Sequence, residues 1–299
     1  MIIFCGLIRV IRVFLVFLHR KKRFNMSKDN IPVVCPHCEG VGVIKPDYNP
    51  TLETLLNHVS VREYSDRPVE EETLNLILKA ACSGSTMGNM QLFSIIVTRD
   101  AEMKAKLAPL HFNQPMATSA PVILTFCADF RRFNQYCRFR NANTEAYSNL
   151  QAYHWAVIDA LIAAQNACVA AESLGLGFCW LGTITYNVDQ FVEILHLPDH
   201  VIPVACIPMG YPVKKPALTQ KLPVETFVHQ EVYHDYDEQR INEFYHEKEN
   251  SDETKSIIAE NPDCDNLAQV FTKHRYTQPD NEHFAQVLKE TLERQGFAM

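Results

Sequence analysis

Three polar side chains near residue 60 have the types and the spacing of a phosphate-binding segment. His58, Ser60 and Arg62 alternate with valines in the sequence HVSVR. Alternate side chains of an extended segment point to the same face, so these three groups share one side. A guanidinium offers two parallel donors to a phosphate, and a hydroxyl and an imidazole add compact ones. The pattern therefore predicts a phosphate-binding segment, with a solvated polar loop as the alternative.

Two later segments have the composition of sites that lie against a flat ligand. Residues 83–91 (SGSTMGNMQ) are rich in small residues, which let a backbone approach a ligand closely, and they include side-chain amides. Residues 180–183 (WLGT) stand where a predicted strand ends in a turn, and strand ends are where α/β proteins bind ligands. A flexible loop and an ordinary buried strand end are the respective alternatives.

Charge and missing motifs narrow the possible partners. The formal net charge of −7 argues against non-specific nucleic-acid binding, which relies on neutralising phosphates with Lys and Arg, so no nucleic-acid partner is expected. Lys214, Lys215 and Lys221 form a local positive spot, although such clusters are usually only solvated. The sequence contains no Gly-x-Gly-x-x-Gly turn after a strand, no P-loop, no His-Glu-x-x-His and no Gly-x-Ser-x-Gly. The common dinucleotide, nucleotide and hydrolase signatures are therefore excluded.

Cys35 and Cys38 form a Cys-x-x-Cys pair in a segment rich in Pro and Gly. A structural zinc site needs four ligands, and the chain has no second Cys-x-x-Cys. The other copy in a homodimer could supply two more thiolates and complete a zinc site. A redox-active dithiol and two idle thiols are the alternatives.

The elements that would position these residues alternate between helices and strands. Predicted strands cover residues 93–98, 121–128, 178–181 and 202–209, and the clearest helices cover about 145–174 and 281–295. The acidic residues 235–252 predict a solvated helix followed by a loop. This alternation predicts an α+β or α/β fold, in which a central sheet is flanked by helices on both faces.

Two features describe the predicted core. The long helix is apolar almost all round, so it is expected to be buried on several sides, either centrally or across a subunit interface. The cysteines are scattered without a disulfide framework, which favours a cytoplasmic protein with reduced thiols in its core. The cysteines assigned to the core are Cys82, Cys127, Cys168, Cys179 and Cys206.

Composition divides the chain into four parts. The apolar run at the start contains Arg9 and Arg12, which argue against a membrane span, so no stable membrane insertion is expected. A gene start assigned upstream of the true Met26 and a surface-lying anchor helix are the two interpretations of this run. The four parts are a leader (1–25), a lead-in arm with the Cys-x-x-Cys pair (26–50), a main domain (51–245), and a mobile loop with helices packed on that domain (246–299).

Three stretches, in this order, resemble the nitroreductase/flavin reductase family, and specifically its larger oxygen-insensitive NADPH-dependent branch. They are HVSVREYSDRPV, AQNACVAAESLGLGFCWLG and GYPVKKPALTQKLPVETFVHQEVY, and the resemblance covers residues from about 50 to 245. The resemblance implies an intertwined homodimer with one FMN at each subunit interface. It also implies a ping-pong reaction, in which NADPH or NADH is the electron donor and nitroaromatics, quinones or flavins are the small-molecule acceptors.

The resemblance also implies roles for individual residues. No general acid or base is implied, because hydride transfer is the chemistry of the flavin itself. Thr219 stands where relatives often have a second basic residue, and Thr183 where a second Gly is usual. By this resemblance, the phosphate and ribityl group are contacted by His58, Val59, Ser60 and Arg62, and the phosphate also by Lys221, which replaces an Arg. Thr86 contacts the flavin, and Asn113 lies near the isoalloxazine. The flavin ring lies along the backbone of Trp180, Leu181, Gly182 and Thr183.

Donor preference and the physiological role stay open at this stage. Lys248 is the basic residue in the segment that would bind the 2′-phosphate of NADPH, but Glu247 and Glu249 flank it. Nearby carboxylates oppose binding of a dianion, so we expect the preference for NADPH over NADH to be less than about tenfold. A flavin-binding redox relay or sensor that uses the N-terminal dithiol is the alternative function, and a dehalogenase or ring-cleaving member of the same fold is a third.

Overall fold

The computed structural model describes residues 31–34, 41–44 and 49–298, and these fall into two units that divide between Leu56 and Asn57. The leader over residues 1–25 lies outside the described residues, and so do Cys35 and Cys38. The interpretations given above for the leader and for the cysteine pair therefore stay predictions.

The described residues of the first unit form a short hairpin and a helix. Strand β1 (Ile31–Val34) pairs antiparallel with strand β2 (Val41–Ile44), with Ile31 opposite Ile44, and helix α1 spans Pro50–Leu56. The composition of residues 26–50 predicted only a lead-in arm, so the hairpin is a feature that the pattern did not indicate.

The second unit is built on a four-stranded antiparallel sheet. Its strands are β3 (Phe93–Thr98), β4 (Val122–Asp129), β5 (Gly177–Phe178) and β6 (Val201–Gly210), in the order β3-β4-β6-β5. Every residue of β4 is buried, as its nearly continuous apolar sequence requires of a central strand. The predicted central sheet is confirmed, and the antiparallel pairing makes the fold α+β.

Helices cover both faces of this sheet, as predicted. One cluster packs α2 and α6 against the side chains of Leu124 and Phe126, and a second packs Leu107 and Phe191 against Ile123 on the opposite face. The helices are α2 (Glu71–Ala81), α3 (Ala101–Leu107), α4 (Met116–Ser119), α5 (Arg131–Arg138), α6 (Leu150–Ser173), α7 (Val188–Ile194), α8 (Glu238–Glu249), α9 (Asp252–Ala259), α10 (Leu267–Val270) and α11 (Gln278–Arg294). Short 3-10 turns lie at Met87–Asn89, Ala108–His111, Glu145–Tyr147, Gly182–Thr185 and Val224–Thr226, and a π-helical turn spans Phe271–Arg275.

Helix α6 is the long apolar helix that the sequence predicts. It begins after Asn149, whose side chain accepts a hydrogen bond from the Ala152 amide, so its start is later than the predicted residue 145. Its alanines, among them Ala160, Ala164 and Ala167, are buried against the sheet, where small side chains allow close packing. Within the described residues it is the one helix long and apolar enough to cross a membrane by length and composition.

One charged side chain of α6 is fully buried and organises a loop. The Asp159 carboxylate accepts hydrogen bonds from the Met87 amide at 2.8 Å and the Leu92 amide at 2.9 Å. The loop between them contains three residues with positive φ, namely Gly88, Asn89 and Gln91. Such conformations are costly for residues other than glycine, so the two bonds to Asp159 stabilise a backbone shape that the loop would otherwise avoid.

Several boundaries differ from the predicted ones for identifiable reasons. The strand predicted over residues 178–181 ends at Phe178, although the Leu181 amide still donates to the Cys206 carbonyl of β6. The loop predicted near residue 250 is short, because the Ser251 side chain caps helix α9. Cys82 is exposed at the end of α2, not buried as predicted, whereas the other four cysteines assigned to the core are buried.

We predict that Asp159→Asn lowers the free energy of unfolding by about 2–3 kcal/mol, because an amide cannot accept from both backbone N–H groups without placing its own donors against one of them. Urea unfolding followed by circular dichroism measures this difference. The exposed Asp66→Asn is the matched control and should stay within about 0.5 kcal/mol of the unsubstituted chain. Equal stability of both variants would show that Asp159 does not hold the loop.

Candidate functional site

The segment from His58 to Arg62 is extended and lies along the short strand β5. Val59 and Val61 are buried, His58 and Ser60 are half-buried, and Arg62 is exposed, so the alternation predicted from the sequence is confirmed. The Val61 amide donates to the Phe178 carbonyl at 2.8 Å, and Ser60 pairs with Phe178 in a parallel bridge. The polar side chains of the segment are therefore displayed at the end of the sheet.

This close approach depends on Gly177. A Cβ atom at Gly177 would lie 2.3 Å from Cγ2 of Val61, a distance that side chains cannot adopt. Any other residue at this position would push the segment away from β5. A glycine is thus required at position 177 for the predicted phosphate-binding segment to pack against the sheet.

His58 has a fixed orientation. Its Nδ1 donates to Oε1 of Glu172 at 2.8 Å, and its ring stacks on Phe178 with the ring centres 5.0 Å apart. With Nδ1 bound to the carboxylate, Nε2 is the atom that can contact a ligand. Glu172 and Phe178 therefore orient His58. The sequence indicated His58 as a site residue but did not indicate these two partners.

Arg62 lies beside a buried thiol at the strand end. Burial raises the pKa of Cys179, and the positive charge of Arg62 opposes that rise. The turn that follows is held by the buried Tyr64, whose hydroxyl lies 2.8 Å from the Val61 carbonyl and 2.9 Å from the Pro208 carbonyl. The backbone next to Arg62 is thus held in place, and its exposed guanidinium is open to an anionic ligand.

The residues after β5 form the second wall of the site. Trp180 is 38% exposed, and Leu181 is held by a hydrogen bond that its amide donates to the Cys206 carbonyl. At Gly182, a Cβ atom would have no heavy atom within 4 Å, so the space next to this backbone is open. A planar ligand could therefore lie against the backbone of residues 180–183.

A buried histidine joins this wall to a third segment. His111 is fully buried, with Nδ1 at 2.7 Å from Oγ1 of Thr183 and Nε2 at 3.3 Å from Sγ of Cys206. Burial lowers the pKa of His111 to about 4 and raises the pKa of Cys206 to about 12, so the imidazole and the thiol are both neutral at pH 7. In the assignment consistent with these states, the thiol donates to Nε2 and Nδ1–H donates to Thr183.

The residues after His111 bring an amide to the same end of the molecule. Phe112 and Asn113 have positive φ values of 54° and 52°, and the Asn113 amide donates to the Ala108 carbonyl at 2.9 Å. Both side chains are exposed. Two consecutive left-handed residues are costly, and strain of this kind is common at functional sites.

Thr86 lies apart from this group. The loop of Thr86 is held by Asp159, whereas His58 is held by Glu172, thirteen residues or about 20 Å away along α6. Lys221 is exposed, and its neighbour Gln220 donates to Glu247 of α8. Within one chain, the structure thus groups the residues from segments 58–62, 111–113 and 180–183 but does not bring Thr86 to His58.

A cavity of about 540 Å³ adjoins the grouped segments through Phe112 and Thr185. Its wall includes Tyr186 and Phe284, whose rings stack with centres 4.3 Å apart and planes 5° from parallel. Arg275 supplies a positive charge to the same cavity. We refer to this space, bounded by these five residues among others, as the aromatic cavity.

Sequence reasoning missed three residues that fix the site. Glu172 is an acidic residue near the end of a mostly apolar helix, which is a signal that could have been used. His111 is only two residues from Asn113, but its contact with Thr183 spans 72 positions and has no local signature. Phe178 looked like an ordinary strand residue and is in fact the platform under His58.

The sequence and the fold of this chain are similar to those of known oxidoreductases. The Nitroreductase family model matches residues 55–211. An FMN reductase [NAD(P)H] of Bacillus subtilis is 31% identical over 83% of this chain and 98% of its own length. An oxygen-insensitive NADPH nitroreductase of Salmonella typhimurium is 36% identical over 64% of this chain and 78% of its own length. A solved structure from Bacteroides fragilis, described as an oxidoreductase, has 47% identity and a TM-score of 0.80, and the match covers 82% of this chain and 98% of that one.

We predict that His111 makes the protein less stable in mild acid. Its pKa is near 6.5 when unfolded and about 4 when folded, so between these values the unfolded chain binds the extra proton. Stability is thus complete above about pH 6.5 and falls by about 3 kcal/mol as the pH drops to 4. In His111→Gln, that part of the loss should disappear, as urea unfolding at a series of pH values would reveal. An unchanged pH slope in the variant would contradict this assignment.

Proposed function

Because the chain belongs to the nitroreductase family, we propose that it is an FMN-dependent oxidoreductase that transfers reducing equivalents from NADH or NADPH to small electron-poor acceptors. This proposal rests on two segments that meet at the end of β5. There the polar residues of segment 58–62 lie next to the open backbone of residues 180–183.

The residues present fit FMN. The exposed guanidinium of Arg62 and the hydroxyl of Ser60 lie on one side of an extended segment, where they can bind a phosphate together. The open space at Gly182 can accept a planar ring, and the nearby Trp180 is partly exposed. FMN supplies the chemistry of hydride acceptance and donation once it is bound.

The chain's own contribution is then orientation and control of charge. His111 fixes the segment of Asn113 to that of Thr183, so two groups proposed to border the ring keep a constant separation. As a neutral imidazole, it holds them without adding a charge beneath the site. No side chain is assigned as a general acid or base.

The aromatic cavity is the proposed acceptor site. Its stacked Tyr186 and Phe284 offer flat apolar walls, and Arg275 offers one positive charge. Aromatic molecules with nitro or quinone oxygens match both properties, because their rings stack and their oxygens accept hydrogen bonds. Nitroaromatics and quinones are therefore the proposed acceptors, and flavins share the same flat shape.

For the donor, we propose little discrimination between NADH and NADPH. Lys248 occupies the last turn of α8 and lines a cavity of about 610 Å³ together with Glu249. The flanking Glu247 is bound by Gln220. A carboxylate in the same wall weakens attraction for a 2′-phosphate.

We further propose that the active form is a cytoplasmic homodimer. Residues 213–233 carry several apolar side chains that are each more than half exposed, and such a surface is typical of an interface. Asp159, which holds the loop of Thr86, is about 20 Å along α6 from Glu172, which holds His58, so in a homodimer Thr86 would serve the site shared with the partner. We call residues 213–233 the apolar arm, and its exposed apolar residues are Val213, Leu218, Val224, Phe227, Val228, Val232 and Tyr233.

The proposed activity is tested by the absorption spectrum of the purified protein and by anaerobic titration. The proposal requires a flavin spectrum that is lost on addition of NADH or NADPH and returns when a quinone or nitroaromatic is added. Running both donors side by side at matched ionic strength also measures the donor preference. A colourless protein that cannot be reconstituted with FMN would overturn the proposal.

We predict that Arg62→Ala weakens FMN binding by about 10- to 100-fold, because a charge-assisted hydrogen bond to a phosphate contributes about 1.5–3 kcal/mol. Fluorescence titration of apoprotein with FMN measures the affinity. Arg67→Ala is the matched control, since Arg67 is exposed and binds Glu70 instead of facing the site. Equal affinity in both variants would place the phosphate elsewhere.

For the dimer, sedimentation of the FMN-loaded protein at micromolar concentration should give about twice the chain mass of 34.2 kDa. Phe227→Glu should shift the protein towards monomer, because it places a charge in the apolar arm. Phe139→Glu changes an even more exposed phenylalanine outside the arm and should leave the mass unchanged. A soluble FMN-loaded monomer would contradict the proposal.

A further inference from the structure

Three side chains near the C-terminal end of the chain bring metal-binding atoms together. Asp263, Cys264 and His274 offer a carboxylate oxygen, a thiol sulfur and an imidazole nitrogen, and these atoms all lie within 4.8 Å of one another. Nε2 of His274 is 2.9 Å and 3.0 Å from the two carboxylate oxygens of Asp263. Neither the flavin site nor the aromatic cavity includes any of these residues.

The fold fixes one side of this cluster as a tight turn after α9. The Cys264 amide donates to the Asn261 carbonyl at 3.0 Å, and the Asn261 side chain donates back to the Ile257 carbonyl. Cys264 is only 4% exposed, whereas Asp263 is exposed. The sulfur is thus held in a protected position, with the carboxylate at its open side.

The other side is the π-helical turn Phe271–Arg275, which contains His274. The turn closes with the Tyr276 amide donating to the Phe271 carbonyl at 2.7 Å. A π-helical turn inserts one extra residue into a helix and is frequent at functional sites. Here the turn presents His274 to Asp263 across a gap of eleven sequence positions.

We propose that Asp263, Cys264 and His274 form a binding site for a zinc-type divalent metal ion, with water as the fourth ligand. Zinc binds sulfur at about 2.3 Å and imidazole nitrogen or carboxylate oxygen at about 2.0–2.2 Å. In a tetrahedron, these bonds separate the ligand atoms by roughly 3.3–3.6 Å. The His274–Asp263 spacing of 2.9–3.0 Å is slightly below this range, and all three ligand atoms lie within 4.8 Å of one another, so side-chain rotations would admit the ion.

The Asp263 carboxylate already faces His274, another of the proposed ligands. The Lys273 ammonium donates to the backbone carbonyl of Asp263 at 2.7 Å and not to its carboxylate. The mixed set of a thiolate, an imidazole and a carboxylate favours zinc or cobalt over magnesium and calcium, which take oxygen ligands. The bound ion would join the turn after α9 to the π-helical turn.

The experiment uses untagged, full-length, FMN-loaded protein in which Cys35 and Cys38 are both replaced by Ser, so that the N-terminal thiols cannot contribute. After treatment with a chelator, Zn²⁺ is titrated calorimetrically, and Co²⁺ is titrated by difference absorption, since a thiolate–cobalt bond gives a charge-transfer band. The proposal requires one Zn²⁺ per chain and a cobalt band that Zn²⁺ removes.

Variants separate this site from adventitious binding. Cys264→Ser should abolish the cobalt band, and His274→Ala, which changes an exposed side chain, should weaken Zn²⁺ binding at least tenfold. Cys82→Ser and His283→Ala remove a thiol and an imidazole elsewhere and should change neither signal. Absence of saturable Zn²⁺ binding, or a cobalt band that persists in Cys264→Ser, would overturn the proposal. Flavin content, measured on the same samples, reports on the proposed oxidoreductase function independently.

Discussion

The hydrogen bond from the Val61 amide to the Phe178 carbonyl is the contact through which most of the candidate site is assembled. It joins an extended polar segment to a strand of only two residues, and Gly177 is the residue that allows the two backbones to come so near. Burial of Val59 and Val61 on the sheet side leaves the alternate residues facing outwards. Packing of the apolar half of the segment therefore sets the positions of its polar half.

Two buried polar side chains fix the positions of the neighbouring segments of the candidate site. Asp159 and His111 are both fully buried, and each one connects two parts of the chain that lie far apart in sequence. Burial of polar groups is unfavourable unless hydrogen bonds compensate for the lost water. Each of these two residues has at least two such bonds, so each stabilises one specific arrangement of the loops at the site.

The sequence predicted the parts of the fold that follow from local patterns. The apolar strands β3, β4 and β6, the long helix α6 and the alternation over residues 58–62 were all predicted, because burial imposes a period that can be read along the chain. The pairing of His58 with Glu172, 114 positions away, depends on how the segment docks against α6 and leaves no periodic signal. The helix after Ser251 was missed for another reason, since its capping serine stands in a polar run that resembled a loop.

Helix α6 also gives the proposed site its dimensions. Asp159 and Glu172 lie thirteen residues apart on this helix, and their hydrogen bonds hold the loop of Thr86 and the ring of His58 about 20 Å apart. A residue held at one point cannot touch a phosphate bound at the other. If Thr86 borders a flavin, as the resemblance implies, we propose that this flavin is shared with a second chain. The rigidity of α6 thus links the proposed cofactor contacts to the proposed homodimer, and one substitution at Asp159 would disturb the site of the partner more than its own.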